Sequence, residues 1–265
     1  MKTWTSMALL IACLQGCATQ LIPGPASTPE DAQTASAAPE LRFQHFSIAP
    51  SGDEAFVSAD ALQPGDILLT AIPSLTSVGI RVMSFGAVSH AAVYIGEGKV
   101  VEAVGSGVRV RGIDELLEEE SVVLALRYPD LSAEQAQRIG DYALTKLGTG
   151  FNYVGVTLHV PLSISRRICE LPLVPSAVRD ACIRGMGVIN QVAVSESQLF
   201  CSQLVAQAYR QAGVPMTDAD PRLVSPVDIL HMREGDVSSV SIRKPLHYAG
   251  HLKYQQGALA VALQR

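Results

Sequence analysis

A cysteine at position 201, a histidine at 90 and a glutamate at 102 are the residues of this chain whose types could act together in acyl transfer. A thiolate attacks a carbonyl carbon, an imidazole takes and returns a proton near neutral pH, and a carboxylate holds that imidazole in one tautomer. Cys201 sits in the run Leu199-Phe200-Cys201-Ser202-Gln203-Leu204-Val205-Ala206-Gln207-Ala208-Tyr209. Phe200, Leu204, Val205 and Ala208 recur at helical spacing, Ser195 or Ser197 is placed to cap the start, and Gly213 supplies a stop. A thiol in the first turn faces unpaired backbone N–H groups and the positive end of the helix dipole, and both favour the thiolate. The backbone N–H groups of Cys201 and Ser202 are then candidates for an oxyanion hole. Taken alone, the run fits a small core hydrophobe equally well, because free cysteine is among the most buried residue types.

The elements that must position the partners decide between these readings. Residues 88–95 and 99–104 are two β-rich runs around Gly96-Glu97-Gly98, which predicts a hairpin. With a three-residue loop, Ile95 pairs with Lys99 and Ala92 sits opposite Glu102. His90 and Glu102 then share a face, diagonal to one another and within reach. A two-residue loop shifts the register by one and sends Glu102 to the other side. The longer loop is favoured because Gly98 can take the left-handed position. Around the hairpin, Pro64-Gly65 turns into a buried strand from Asp66 to Thr70, and residues 74–85 carry a helical pattern. Strands are expected at 108–110 and 121–127, with a short helix at 113–117. Ser132-Ala133-Glu134-Gln135 is a capping box opening a helix that stops at Gly148, and a last strand is read over 237–242.

A net charge of -5, with no lysine or arginine stripe, argues against a nucleic-acid partner. The five lone histidines, His45, His159, His231, His247 and His251, lack metal-ligand spacing, and no metal or other cofactor is expected. Lys2, the apolar run over residues 7–14 and Leu14-Gln15-Gly16-Cys17 make residues 1–16 a targeting signal. Residues 17–50, rich in Ala, Pro, Ser, Thr and Gln, read as a flexible tether, which leaves 51–265 as the folded domain. Residues 160–196, with Pro161, Pro172 and Pro175, read as a long insertion. Its apolar residues, such as Leu162, Ile164, Leu171 and Val188, suit either a lid that meets substrate or membrane or an extra packed helix. Cys169 and Cys182 lie in this segment. In an oxidising compartment they can pair and leave Cys201 free, or both can stay unpaired.

Pro64-Gly65-Asp66-Ile67, Ser89-His90 opening a strand, Glu102 on the next strand and Phe200-Cys201-Ser202 on a late helix resemble the circularly permuted papain-like hydrolases. The likeness is to the YiiX-like branch of the NlpC-type cysteine hydrolases, with the lecithin retinol acyltransferases more distant. It covers roughly residues 60–230 and shows in the order, histidine before cysteine. The resemblance implies an α+β fold in which an antiparallel sheet packs against the nucleophile helix, with Cys201 as nucleophile, His90 as base and Glu102 as orienter. It implies cleavage of amide bonds of peptide or cell-wall type through an acyl-enzyme. The acyltransferase cousins keep a second class open, an acyltransferase or lipid esterase, and an inactive binding module is the third. Leu14-Gln15-Gly16-Cys17 resembles a bacterial lipobox, which implies acylation of Cys17 and, with Ala18 following, an outer-membrane anchor facing the periplasm.

Overall fold

The computed structural model describes residues 18–22, 40–45, 48, 55–71, 88–152, 169–170, 174–175, 178–179, 181–183, 185 and 198–254. The expected helix over 74–85, the signal over 1–16, Cys17, His159 and most of the 160–196 insertion lie outside these residues.

The frame is a six-stranded sheet of antiparallel neighbours. It uses β3 (Ile67–Ala71), β4 (His90–Gly96), β5 (Lys99–Val104), β6 (Gly107–Gly112), β7 (Val122–Arg127) and β10 (His247–Tyr254), in the spatial order β10-β7-β3-β4-β5-β6. Its central strands are buried on both faces, which is why β3 and β7 read as unbroken apolar runs. One face, with Ile67, Leu69, Ala91, Val93, Leu124 and Leu126, packs on Ile139 of α2 (Ala133–Thr145) and on Val205, Ala208 and Tyr209 of α3 (Cys201–Gln211). The other face, with Leu68, Ala92, Val100 and Val123, is covered by Ile113 and Leu116 of α1 (Ile113–Glu119). Both halves of the Ser132–Gln135 capping box are made at the start of α2. A short α4 (Pro226–Leu230) follows. The fold is α+β, with the sheet against the helix that carries Cys201.

Gly65 takes φ +92° in the turn before β3, and a Cβ there would lie 2.5 Å from Leu131 Cδ2, so both conformation and space require glycine. The next residue, Asp66, is buried and accepts two bonds from Arg127, at 2.8 Å and 2.7 Å, while Tyr209 Oη donates to the Gly65 carbonyl. The Pro-Gly-Asp turn thus fastens β3, β7 and α3 together.

The hairpin carries the expected pairing of Ala92 with Glu102, but by another route. The turn is the two residues Glu97 and Gly98, both left-handed at φ 51° and 66°, and Gly96 rather than Ile95 pairs with Lys99. The extra residue is taken up as a bulge between Tyr94 and Gly96 (φ 95°), which restores the register that a two-residue turn would otherwise have shifted.

Two further expectations are corrected. No strand forms over 237–242; the last strand is β10, paired with β7 across two register shifts that break the alternation its sequence would need to be read. The start of α3 has Phe200 at the N-cap with no side-chain cap, and Ser195 and Ser197 fall outside the described residues. The chain enters α3 directly from β9 (Gln198–Leu199), which pairs in parallel with β8 (Gly150–Phe151), so an apolar residue occupies the capping position. Part of the stretch read as a tether is paired. Within 17–50, β1 (Thr19–Ile22) pairs with β2 (Glu40–Phe43), and Ala18 and Thr19 are buried. The Gln44 amide donates to Val237 O at 3.0 Å, and His45 N donates to Asp236 at 2.8 Å. Few large apolar groups are needed here because polar anchors and backbone pairing hold the segment.

Candidate active site

His90 opens β4, opposite Thr70 of β3, and Glu102 lies on β5 opposite Ala92. The structure brings the two side chains together, His90 Nε2 to Glu102 Oε2 at 2.8 Å. With Nε2 donating to the carboxylate, Nδ1 is the ring nitrogen left for the Cys201 sulfur, with which His90 also shares a hydrogen bond. Cys201 is the first residue of α3 and is 9% exposed; His90 keeps 17% of its side chain open, whereas Glu102 keeps 1%. The three side chains are thus largely buried, with His90 the most exposed of them. Cys201 is the free cysteine among the described residues, and Cys169 and Cys182 are joined in a disulfide.

Burial alone would keep the thiol protonated, but the His90 imidazolium and the backbone amides of Ala91 and Ser202 overcome it and lower the Cys201 pKa. Burial likewise disfavours the imidazolium, yet the Cys201 thiolate and the Glu102 carboxylate raise His90 to about 10. Glu102, which burial would raise, is brought down to about 2 by His90, Arg111 and Arg109. The resting state these effects favour is thiolate, imidazolium and carboxylate in a row. At the start of α3, where no side-chain cap is made, the first-turn N–H groups lack a carbonyl four residues back, and that of Ser202 points at the Cys201 sulfur, next to where an oxyanion would form.

Among the described residues no group of three or more His, Cys, Asp or Glu side chains is placed to hold a metal ion. The profile of the permuted papain-like amidases, YaeF/YiiX, C92 family, matches residues 61–156. The probable lipoprotein peptidase YaeF of Escherichia coli (strain K12) is 35% identical over 234 residues, spanning 87% of this chain and 85% of the relative. This chain belongs to the YaeF/YiiX family of permuted papain-like amidases. A crystal structure of yiiX from Escherichia coli O157:H7, described as a metalloprotein, aligns at a TM-score of 0.40 and 17% identity over 70% of this chain and 88% of that one.

The family profile ends well before Cys201, so the helix that carries Cys201 is reached by the YaeF match rather than by the profile. As a member of the YaeF/YiiX family the chain is a papain-like enzyme of amidase type. Sequence reasoning missed Arg109 and Arg111 beside Glu102. The signal was available: a two-residue turn at Gly105-Ser106 sets Val104 opposite Gly107 and hence Glu102 opposite Arg109, with Arg111 on the same face. It also missed Glu120, buried at the C-cap of α1, where burial raises its pKa against the pull of His90.

Proposed function

We propose that this enzyme cleaves amide bonds of peptide or cell-wall type through a Cys201, His90 and Glu102 triad. The Cys201 thiolate attacks the substrate carbonyl carbon, and the oxyanion that forms is received by the N–H groups at the start of α3. The imidazolium of His90 gives its proton to the departing amine as the C–N bond breaks, leaving a thioester. Water then attacks the thioester, His90 takes a proton from it, and the sulfur leaves as thiolate with the acid product. Glu102 holds His90 Nε2 throughout and balances the imidazolium. The observation that carries this reading is the contact of one histidine with both a thiol at an uncapped helix start and a buried carboxylate.

The name of the relative YaeF, a lipoprotein peptidase, supports reading Cys17 as the acylated N-terminus of a mature protein anchored in the outer membrane and facing the periplasm. Cys17 precedes the buried Ala18 and the start of β1 at Thr19, so the anchor would join the folded domain with almost no spacer.

Acid-quenching the enzyme during turnover of a cell-envelope extract and weighing the Cys201 peptide tests the reading. An adduct of peptide or muropeptide mass is expected. A fatty-acyl mass on Cys201 would move the enzyme to the acyltransferase and esterase class. Hydrolysis persisting in Cys201→Ala would overturn the nucleophile.

A further inference from the structure

The two oxygens of Glu102 have separate duties. Oε2 faces His90, while Oε1 accepts from Arg109 Nε at 2.9 Å and lies 3.3 Å from Arg111 Nε. Arg109 is directly across the β5–β6 pair, and Arg111 follows two residues on. The two arginines differ in surroundings, since Arg109 keeps 44% of its side chain exposed and Arg111 only 5%. Arg111 also reaches Glu119 Oε2 at 2.6 Å and stands 3.9 Å from Glu120 Oε1, both acids at the end of α1.

Arg111 is an awkward residue to bury for stability alone. Its Nε and one terminal nitrogen are buried without a hydrogen-bond partner, and a buried ion pair of poor geometry gains little over an apolar replacement. Its position has a clearer consequence for the carboxylate. A glutamate beside one half-exposed arginine is free to turn outward with it, because solvent competes for both groups. A second, buried cation behind Oε1, itself fixed to α1, pins that oxygen inward and leaves Oε2 on the imidazole.

We propose that Arg111, with Arg109 as its outer partner, is a positioning residue that holds the Glu102 carboxylate against His90. The proposal rests on the triad reading above and names a group that touches neither substrate nor sulfur. Partners that orient an active group, rather than react, are commonly felt on the order of tenfold in rate. Because Arg111 acts through Glu102, its effect must vanish when Glu102 no longer carries the charge that it holds.

The test is a double-mutant cycle on turnover of a p-nitrophenyl ester by the intact protein. Arg111→Met should lower kcat about tenfold with KM within about twofold, and Arg111→Lys, which keeps the charge, should recover most of the loss. In the Glu102→Gln background, Arg111→Met should change kcat by less than about twofold. Arg109→Gln, at a half-exposed position that leaves the interior intact, should show a smaller fall of about threefold that also disappears with Glu102→Gln. Equal falls in both backgrounds would overturn the clamp and leave the triad standing. A Glu102→Gln enzyme as active as the natural one would instead remove the triad reading on which the clamp rests.

Discussion

Two clusters in this molecule share a composition, a histidine, a carboxylate and arginine, and serve opposite ends. In one, His90, Glu102, Arg109 and Arg111 meet beside Cys201. In the other, His231 Nδ1 and Arg233 each lie 2.9 Å from Asp236 Oδ2, and Asp236 Oδ1 accepts from His45 N at 2.8 Å and Val237 N at 2.7 Å. Arg233 also donates to Ile48 O. Asp236 and Arg233 have no exposed side-chain surface. That cluster fastens the N-terminal segment to the domain. The first keeps one carboxylate oxygen for an imidazole that faces a thiol at a helix start. A histidine–carboxylate–arginine set is therefore no signature of catalysis; what the first cluster adds is a free thiol in contact with its histidine.

The sharpest break of the comparison exchanges the roles by mutation. Cys201→Ala or His90→Ala should lower turnover per folded molecule by at least about 10³-fold, since the proposed nucleophile and base would act as a unit. Asp236→Ala should do the reverse. Leaving Arg233 buried without its carboxylate should cost roughly 3–5 kcal/mol of stability in urea unfolding, while kcat per folded molecule stays within about twofold. A strong kcat loss in folded Asp236→Ala would mean that the second cluster also serves the chemistry.

Within the first cluster, Glu102→Gln keeps the shape and removes the charge, and turnover should fall about 10- to 100-fold. The pH profile sharpens this. His90 carries its proton up to about 10, so activity in the natural enzyme should decline on the alkaline side near there. Without the carboxylate the imidazolium loses a stabilising partner, so in Glu102→Gln the alkaline limb should move to lower pH. An unmoved limb would detach Glu102 from His90.

The smallest effect belongs to the closed region. His251 is buried, donates or accepts with Tyr248, and burial with nearby Arg233 holds its pKa at about 4, below the ordinary 6.5. The unfolded chain therefore takes up this proton first as pH falls. The neutral ring's contribution is present above about 6.5 and is lost progressively towards 4. His251→Gln should flatten the fall in thermal midpoint over that interval relative to the natural protein, with no change in kcat.

Much of the first cluster was legible because its parts carry local signals. Alternation and turn glycines placed His90 and Glu102 on one face, and helical spacing put Cys201 at a helix start. The pairing of Ala92 with Glu102 came from a two-residue turn plus a bulge, since one extra residue in a strand leaves no trace in the hydrophobic pattern. Arg109 and Arg111 were overlooked because an Arg-Val-Arg run reads as a solvated edge until the β5–β6 register is known. The second cluster was illegible for a stronger reason. His45 and Ile48 come to Asp236 and Arg233 across almost the whole chain, and no local periodicity reports a contact between residues so far apart. The same distance hid the docking of the segment read as a tether, whose composition gave no apolar face to place.

The central claim, a thiolate held ready by His90, is tested most directly by the pH dependence of Cys201 alkylation. Iodoacetamide labelling of the intact protein, followed by mass analysis of the Cys201 peptide, should give a rate that reaches its plateau at a lower pH than that of a free thiol. In His90→Gln the rate should rise with pH instead, because burial then works against the thiolate without the imidazolium to offset it. If the natural protein and His90→Gln gave the same curve, both titrating as an ordinary thiol, Cys201 would be a buried core cysteine and the account of this site would be wrong.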